Sequence, residues 1–210
     1  MTAAYTFDAV GPAATFSDAS GRGHHLQALT RNGAALHTIT HGAGKAVKFP
    51  PGCTGRRCPR LALHAASTPA LNPAARPIRY GATVKLAPGQ TSDGQNVLQK
   101  GYSTTGGQYK LQVDKLPGHP SCAMTSEDSP TIHLATSRAT VADGAWHVLE
   151  CRRSGTTLTI LVDGRVRAAT SVPAGLTVDN TAPLVLGGKG LSLDSDPFQG
   201  ALDDAWISIS

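Results

Sequence analysis

The chain is poor in the groups that polysaccharide hydrolysis requires. Only two of its 210 residues are glutamates, Glu127 in a predicted loop and Glu150 on a predicted strand. Glycoside hydrolases use two carboxylates that face each other across a cleft, and no E-x-D-x-x-E strand supplies them here. The motifs of a serine hydrolase (G-x-S-x-G), a zinc protease (H-E-x-x-H) and a phosphate-binding glycine loop are missing as well. Catalysis is therefore not the first expectation for this sequence.

Long hydrophobic stretches are also missing. No apolar run approaches the ~18 residues that cross a bilayer, and no charged, then apolar leader opens the chain. Hydrophobic residues nevertheless make up 40% of the sequence, which is enough for a sizeable core. We expect a soluble protein without membrane insertion, either cytosolic or secreted after removal of a signal peptide.

The clearest local pattern lies between residues 146 and 171. Its first six residues alternate between two faces, as in a strand that is buried on one side. The run Thr157–Val162 is rich in residue types that favour strands. It ends in Asp163-Gly164, a pair that readily adopts the two positive-φ positions of a type I′ turn. The pattern predicts three consecutive antiparallel strands, the last of them Arg165–Ser171.

Similar short patterns recur along the whole chain. Further strands are predicted at 5–7, 45–49, 60–64, 78–86, 96–100, 109–113, 122–125, 131–134, 184–186 and 201–209, with a short one inside 26–39. Roughly a dozen short strands, with neither helical periodicity nor internal repeats, are typical of two packed antiparallel sheets. We therefore predict an all-β fold, an antiparallel two-sheet β-sandwich that forms one domain over residues 1–210. The last strand is expected to pair beside the first.

Four cysteines are present, Cys53, Cys58, Cys122 and Cys151. A zinc site would need two close pairs, whereas the last two cysteines are far apart and no histidine lies near them at zinc-finger spacing. Disulfides fit better, with Cys53–Cys58 closing a loop among prolines and Cys122–Cys151 joining two predicted strands. Because disulfides persist in oxidising compartments, we expect a secreted or extracellular protein.

The charge balance is basic, with a formal net charge of +5 and a pI near 9.2. Such a surface attracts polyanions, including acidic polysaccharides. The only close arginine pairs are Arg56-Arg57 and Arg152-Arg153, and neither belongs to a basic run with interleaved aromatic residues. Nucleic-acid binding is therefore not expected.

Five segments together carry a family likeness. Residues 143–165, DGAWHVLECRRSGTTLTILVDGR, are similar to a D-G-x-W-H … L-x-L-x-V-D-G segment. Residues 18–23 match a D-x-S-G-x-G loop, 44–49 a second strand, 184–188 an L-x-I-G-G strand and 198–204 a closing F-x-G-x-I-D-[DE] strand. Taken in chain order, the five segments resemble the laminin-G-like, concanavalin A-like jelly-roll domains over essentially the whole chain. The resemblance implies a jelly-roll sandwich of a family with diverse functions.

The resemblance also implies a calcium site. In this family the D-x-S-G-x-G loop and the acidic pair of the closing strand commonly hold the ion, which corresponds here to Asp18 and to Asp203 or Asp204. Calcium takes six to eight oxygen ligands in irregular geometry. His24-His25 departs from the family, which often has Asn or Asp there. The residues alone also fit an Asx-turn at Asp18 and solvated aspartates near the C-terminus.

Two functional hypotheses remain. The first is a monomeric, non-catalytic module that binds an extracellular glycan or glycoprotein, using exposed aromatic rings as sugar platforms. Tyr102 and Phe198 are the candidate platforms. The alternative is a lyase or hydrolase for an acidic polysaccharide, with His133, Tyr109 or Glu150 in the chemistry. The remaining aromatic residues considered lie at strand positions that suit the core: Tyr5, Phe7, Phe49, Tyr80, Trp146 and Trp206.

Overall fold

A computed structural model describes all residues from Met1 to Ser210. Regular structure consists of strands and of two single turns of 3-10 helix, Pro12–Ala14 and Pro69–Leu71. No helix is long and apolar enough to cross a membrane. The strands are β1 (Ala3–Tyr5), β2 (Thr15–Phe16), β3 (Leu26–Arg31), β4 (His37–His41), β5 (Gly44–Lys48), β6 (Arg60–Ala65), β7 (Ile78–Lys85), β8 (Gln95–Tyr102), β9 (Thr105–Asp114), β10 (His119–Ser126), β11 (Ser129–Thr136), β12 (Trp146–Ser154), β13 (Thr157–Val162), β14 (Arg165–Ser171), β15 (Leu184–Leu186) and β16 (Ala201–Ile209).

The strands form two antiparallel sheets of eight strands each. The terminal sheet has the order β14-β13-β12-β7-β16-β5-β4, and β1 also pairs with β16. The cleft sheet has the order β11-β10-β9-β8-β15-β6-β3-β2. The predicted all-β sandwich is confirmed, and so is the pairing of the last strand beside the first, in which Ala3 lies opposite Ile207.

The core lies between the two sheets. Period-two alternation turns Tyr80 and Val84 of β7 inward, and it turns Tyr109 and Leu111 of β9 inward from the opposite sheet. The rings of Tyr80 and Tyr109 meet at a centroid distance of 5.1 Å. All four belong to one cluster of 39 buried hydrophobic residues. Burial of each large apolar side chain contributes about 1.5–3 kcal/mol, so this cluster is the main source of stability.

Both predicted disulfides are confirmed. Cys122–Cys151 connects β10 of the cleft sheet to β12 of the terminal sheet, and both of its cysteines are fully buried. Cys53–Cys58 closes a short loop between β5 and β6. The longer loop restricts the unfolded chain more, so the bond between the sheets has the larger entropic effect.

The hydrogen bonds of His147 give a structural reason for the D-G-x-W-H … V-D-G pattern. Its Nδ1 lies 2.8 Å from an Asp163 carboxylate oxygen, and its Nε2 lies 3.1 Å from Asp143. The other Asp163 oxygen accepts the N–H of Val148 at 2.9 Å. Asp163 and Gly164 both have positive φ, as the predicted turn requires. The two carboxylates and the imidazole therefore fasten the β13–β14 turn to the start of β12.

The two tryptophans do not lie in the core, and this expectation was wrong. Trp146 and Trp206 are half-buried on the outer face of the terminal sheet. Along β12 the buried residues are Leu149 and Cys151, whereas Trp146 shares its face with the exposed Val148. The alternation of β12 is therefore present as predicted, but the face that meets the core is the one with Leu149 and Cys151.

Candidate functional site

The outer face of the cleft sheet contains a cleft of about 400 Å³. It runs over β8, β9, β10 and β11 and is closed at one end by the loop that follows β15. Its lining residues are Gln99, Tyr102, Ser103, Thr104, Gln108, Lys110, Gln112, Ala123, Ile132, Leu134 and Lys189. The floor is polar, because four of the six lining residues on β8, β9 and β10 carry amide or amine groups.

Strand periodicity explains why these side chains meet. Since alternate residues of β9 face the core, Gln108, Lys110 and Gln112 must face outward. Pairing between strands then places Leu134, Ala123, Lys110 and Gln99 in one row across the sheet. Side chains that are directly opposite have Cβ atoms about 4.5–5.5 Å apart. The small Ala123 leaves open space beside the Lys110 ammonium.

The amides of the floor are held in place but keep unused hydrogen-bonding groups. Gln99 donates to the Gly101 carbonyl at 2.7 Å and accepts from Asn96 at 2.6 Å. Gln112 donates to Asp114 at 2.8 Å. A carboxamide has two donor hydrogens and two acceptor lone pairs. Each glutamine can therefore bind a ligand hydroxyl without losing its internal bond.

Two lysines lie in the cleft and differ in their partners. Lys189 forms an ion pair with Asp196 at 2.6 Å, whereas Lys110 belongs to none of the ion pairs in the structure. Burial is the main cause that lowers the pKa of Lys110; Lys189 lowers it further, while Asp196 and Asp114 oppose the shift. The Lys110 ammonium is therefore a free donor inside the cleft.

Of the two predicted aromatic platforms, only one is exposed at the cleft. Tyr102 lies at the rim of the cleft with 37% of its surface exposed, and its hydroxyl donates to the Lys189 carbonyl at 3.4 Å. Ile132 and Leu134 of β11 are also exposed and give the cleft an apolar side. Phe198 is wrong as a platform, because it is fully buried and packs against Phe49 at a centroid distance of 5.8 Å.

The residues predicted to bind calcium do not all lie together. Asp203 and Asp204 meet His41, and the candidate ligand atoms of these three residues lie within 4.8 Å of one another. His41 Nδ1 lies 2.5 Å from Asp203 Oδ2. Burial raises the pKa of Asp203 in spite of this contact. No motif points to His41, which lies at the end of β4 and is 162 residues from Asp203 in the chain.

Asp18 has other partners. Its carboxylate accepts the N–H groups of Ala4, Ser20 and His24 at 2.9–3.0 Å. Burial raises the pKa of Asp18, but these hydrogen bonds outweigh it and the net shift is downward. Asp18 therefore organises its own loop, and it is not part of the group around His41.

The three residues considered for catalysis are not brought together. Tyr109 is buried in the core, where its hydroxyl donates to the Leu71 carbonyl at 3.0 Å. Glu150 lies on the outer face of the other sheet and pairs with Arg79 at 2.8 Å and Arg152 at 3.0 Å. His133 is half-buried on the edge strand β11 and, because it alternates with the cleft-lining Ile132 and Leu134, it lies on the face away from the cleft. The arrangement provides no shared acid and base.

Comparison with known proteins identifies the family. Residues 79–208 match the Laminin_G_3 family model, described as the concanavalin A-like lectin/glucanases superfamily. The match covers more than half of the chain, so the chain belongs to this family. No curated protein matches the sequence.

Solved structures share the fold over almost the whole chain. The binding domain of Paraclostridial Mosquitocidal Protein 1 superposes with a TM-score of 0.72 at 10% identity, covering 98% of this chain and 48% of that one. This chain thus spans about half the length of that domain. Domain 4 of AbnA, a GH43 extracellular arabinanase from Geobacillus stearothermophilus solved with arabinotriose, gives 0.70 at 16% identity and coverages of 98% and 90%. Mouse laminin α1 domains LG4-5 give 0.53 at 18% identity, with coverages of 78% and 40%.

Proposed function

We propose that the chain is a non-catalytic, extracellular glycan-binding module whose ligand lies in the cleft. The observation that carries this proposal is the combination of outward amides from β8 and β9 with the exposed ring of Tyr102. Sugars present hydroxyl groups and apolar C–H faces, which amides and aromatic rings bind respectively. No carboxylate is among the residues that line the cleft, which favours retention of a glycan over its cleavage.

Two of the structural neighbours support a sugar ligand. Domain 4 of AbnA was solved in complex with arabinotriose, and the binding domain of botulinum neurotoxin DC was solved in complex with SialylT. The two disulfides, Cys53–Cys58 and Cys122–Cys151, support an oxidising, extracellular location.

Variants of the cleft test the proposal. In a panel of polysaccharides, we expect the protein to retain at least one glycan without releasing new reducing ends or unsaturated uronates. Tyr102→Ala and Gln112→Ala should each weaken that binding by about 1–2 kcal/mol, roughly 5- to 30-fold, because each removes one ligand contact. Thr170→Ala on β14 of the other sheet is the control. Tyr102→Phe should retain binding if the ring is the platform.

The opposite results would overturn the proposal. Product release that survives repurification would make the protein an enzyme. Retention that is unchanged in both cleft variants would place the ligand elsewhere. If no glycan is retained, a protein partner becomes the leading candidate; the binding domain of botulinum neurotoxin DC has been solved with rat synaptotagmin II.

We also propose that calcium stabilises the fold, with Asp203 and Asp204 as its ligands. Both residues lie on the last strand and their carboxylates are close together, although the imidazole of His41 is not the oxygen ligand that calcium prefers. A site present only in the native state adds about 2.7 kcal/mol to the free energy of unfolding at a calcium concentration of 100 Kd. We expect a higher melting temperature in calcium than in EDTA, and no such difference for Asp204→Ala. If the unaltered protein melts at the same temperature in calcium and in EDTA, calcium does not stabilise the fold.

A further inference from the structure

A row of basic residues crosses the outer face of the terminal sheet, on the side opposite the cleft. Strand pairing places Trp146, Lys85, Ala201, Lys48 and His37 side by side on β12, β7, β16, β5 and β4. We call these five residues the lysine row. Neighbouring strands lie about 4.8 Å apart, so the backbones of Lys85 and Lys48 are about 10 Å apart, with only the methyl group of Ala201 between them.

The two lysines have no counter-charge. Neither belongs to any ion pair in the structure. Of the carboxylates near this face, Asp203 contacts His41 and Glu150 binds two arginines. Asp204 lies beside Asp203 and His41 and forms no ion pair with either lysine. Burial lowers the pKa of Lys48, and the only charged group that adds to this shift is Lys85. The structure thus holds two cations near each other that lack an anion.

The surroundings of the lysine row limit what that anion can belong to. Lys85 Nζ lies 6.0 Å from the centroid of the Trp146 ring, and His41 is stacked on the same ring at 3.9 Å. Because His41 covers the indole, Trp146 is a poor stacking surface for a nucleic-acid base. Only two lysines are available, whereas nucleic-acid binding is typically carried by several phosphate contacts.

An apolar pocket continues from the end of the row. It has a volume of about 320 Å³ and is lined by His37, Lys48 and Phe49, with three prolines on one wall, Pro50, Pro51 and Pro59. A group that binds Lys48 through a charge can therefore place an uncharged, partly apolar ring in this pocket. An acidic sugar residue combines these two features.

We propose that the lysine row is a second binding site, which takes the carboxylate or sulfate group of an acidic polysaccharide between Lys48 and Lys85. It is separate from the cleft, because the two lie on the outer faces of different sheets. The anion accepts charge-assisted hydrogen bonds from both ammonium groups, and the sugar that bears it extends toward the pocket beside Lys48.

Matched polymers and matched variants test this site. The probes are dextran sulfate against dextran and polygalacturonate against its methyl ester, because each pair differs only in its acidic group. We expect the charged polymers to bind more tightly, and Lys48→Gln/Lys85→Gln to weaken them by about tenfold or more. Arg138→Gln/Arg165→Gln is the control, since it removes the same total charge from exposed sites away from the row. Lys48→Arg/Lys85→Arg keeps both charges and should retain binding.

Each contrary result has a distinct meaning. If the arginine control weakens binding as much as the lysine variant, the attraction is due to net charge and no site exists. If duplex DNA binds as tightly and with the same dependence on the two lysines, the ligand class is wrong. If Gln112→Ala abolishes binding of the charged polymers, they bind in the cleft and not at the lysine row. If the charged polymers still bind to Gln112→Ala, the lysine row is supported even if the cleft binds no glycan.

Discussion

At the scale of single residues, Lys100 shows how a buried charge is accommodated. Its side chain has no exposed surface, and its ammonium donates to Ser67 Oγ, to Asn180 O and Oδ1, and to the Ala182 carbonyl, all at 2.9–3.0 Å. Burial lowers the pKa of Lys100 to about 8, against an opposing effect of Asp179. The ammonium is surrounded by oxygen acceptors and joins the loop after β6 to the loop before β15.

Replacement of Lys100 by methionine should therefore be costly. The chain length is kept, but the buried acceptors lose their donor, and we expect the free energy of unfolding to fall by about 2–3 kcal/mol. Denaturant titration measures the change. Lys115→Met, at an exposed turn, is the control and should lie within about 0.5 kcal/mol of the unaltered protein. If Lys100→Met leaves the free energy of unfolding unchanged, water replaces the ammonium as the donor to these oxygens.

His147 makes stability depend on pH. Burial disfavours its charged form, but the hydrogen bonds to Asp163 and Asp143 outweigh burial and raise the pKa of His147 above 6.5. Its contribution is therefore complete below about pH 6.5 and is lost as the pH rises through the higher folded-state pKa. We expect His147→Gln to destabilise the protein more at pH 6 than at pH 8.5, as measured by denaturant titration at both values. A difference that is independent of pH would mean that the imidazole is neutral.

At the scale of elements, the sequence was sufficient wherever a local pattern determined the outcome. The alternation of β7 and the turn at Asp163-Gly164 were predicted because each depends on neighbouring residues alone. The environment of Phe198 could also have been found, since Phe198, Gly200 and the buried Leu202 share one face by period two. The approach of His41 to Asp203 could not, because it depends on the pairing of the β4–β5 hairpin with β16, which is distant in the chain.

The disulfide between elements of different sheets should be the more important of the two. We expect Cys122→Ala/Cys151→Ala to lower the free energy of unfolding by about 3.5 kcal/mol, and Cys53→Ala/Cys58→Ala by about 2 kcal/mol, because the closed loops differ in length. Thermal and denaturant unfolding of the two double variants measure this order. The reverse order would mean that the short loop has a role in packing that its length does not account for.

At the scale of the whole molecule, the sandwich presents two chemically different faces. The cleft sheet offers amides and a tyrosine, while the terminal sheet offers lysines beside a covered tryptophan. Alternation showed which residues of a strand share a face, but not which face meets the core, as Trp146 demonstrates, nor which outer face forms a cleft. That depends on the loop after β15, whose Lys189–Asp196 pair closes one end, and no periodic pattern in the sequence describes it.

The pairing of β1 with β16 has a mechanical consequence. Ala3 lies opposite Ile207 and Tyr5 opposite Ala205, so the chain enters and leaves the fold at the same end of one antiparallel pair. A force that pulls the two ends apart acts across the hydrogen bonds between β1 and β16, and it loads them one after another from the outermost inward. The fold would therefore open at low force like a zipper, and only the segment between Cys122 and Cys151 would be shielded from extension by its disulfide.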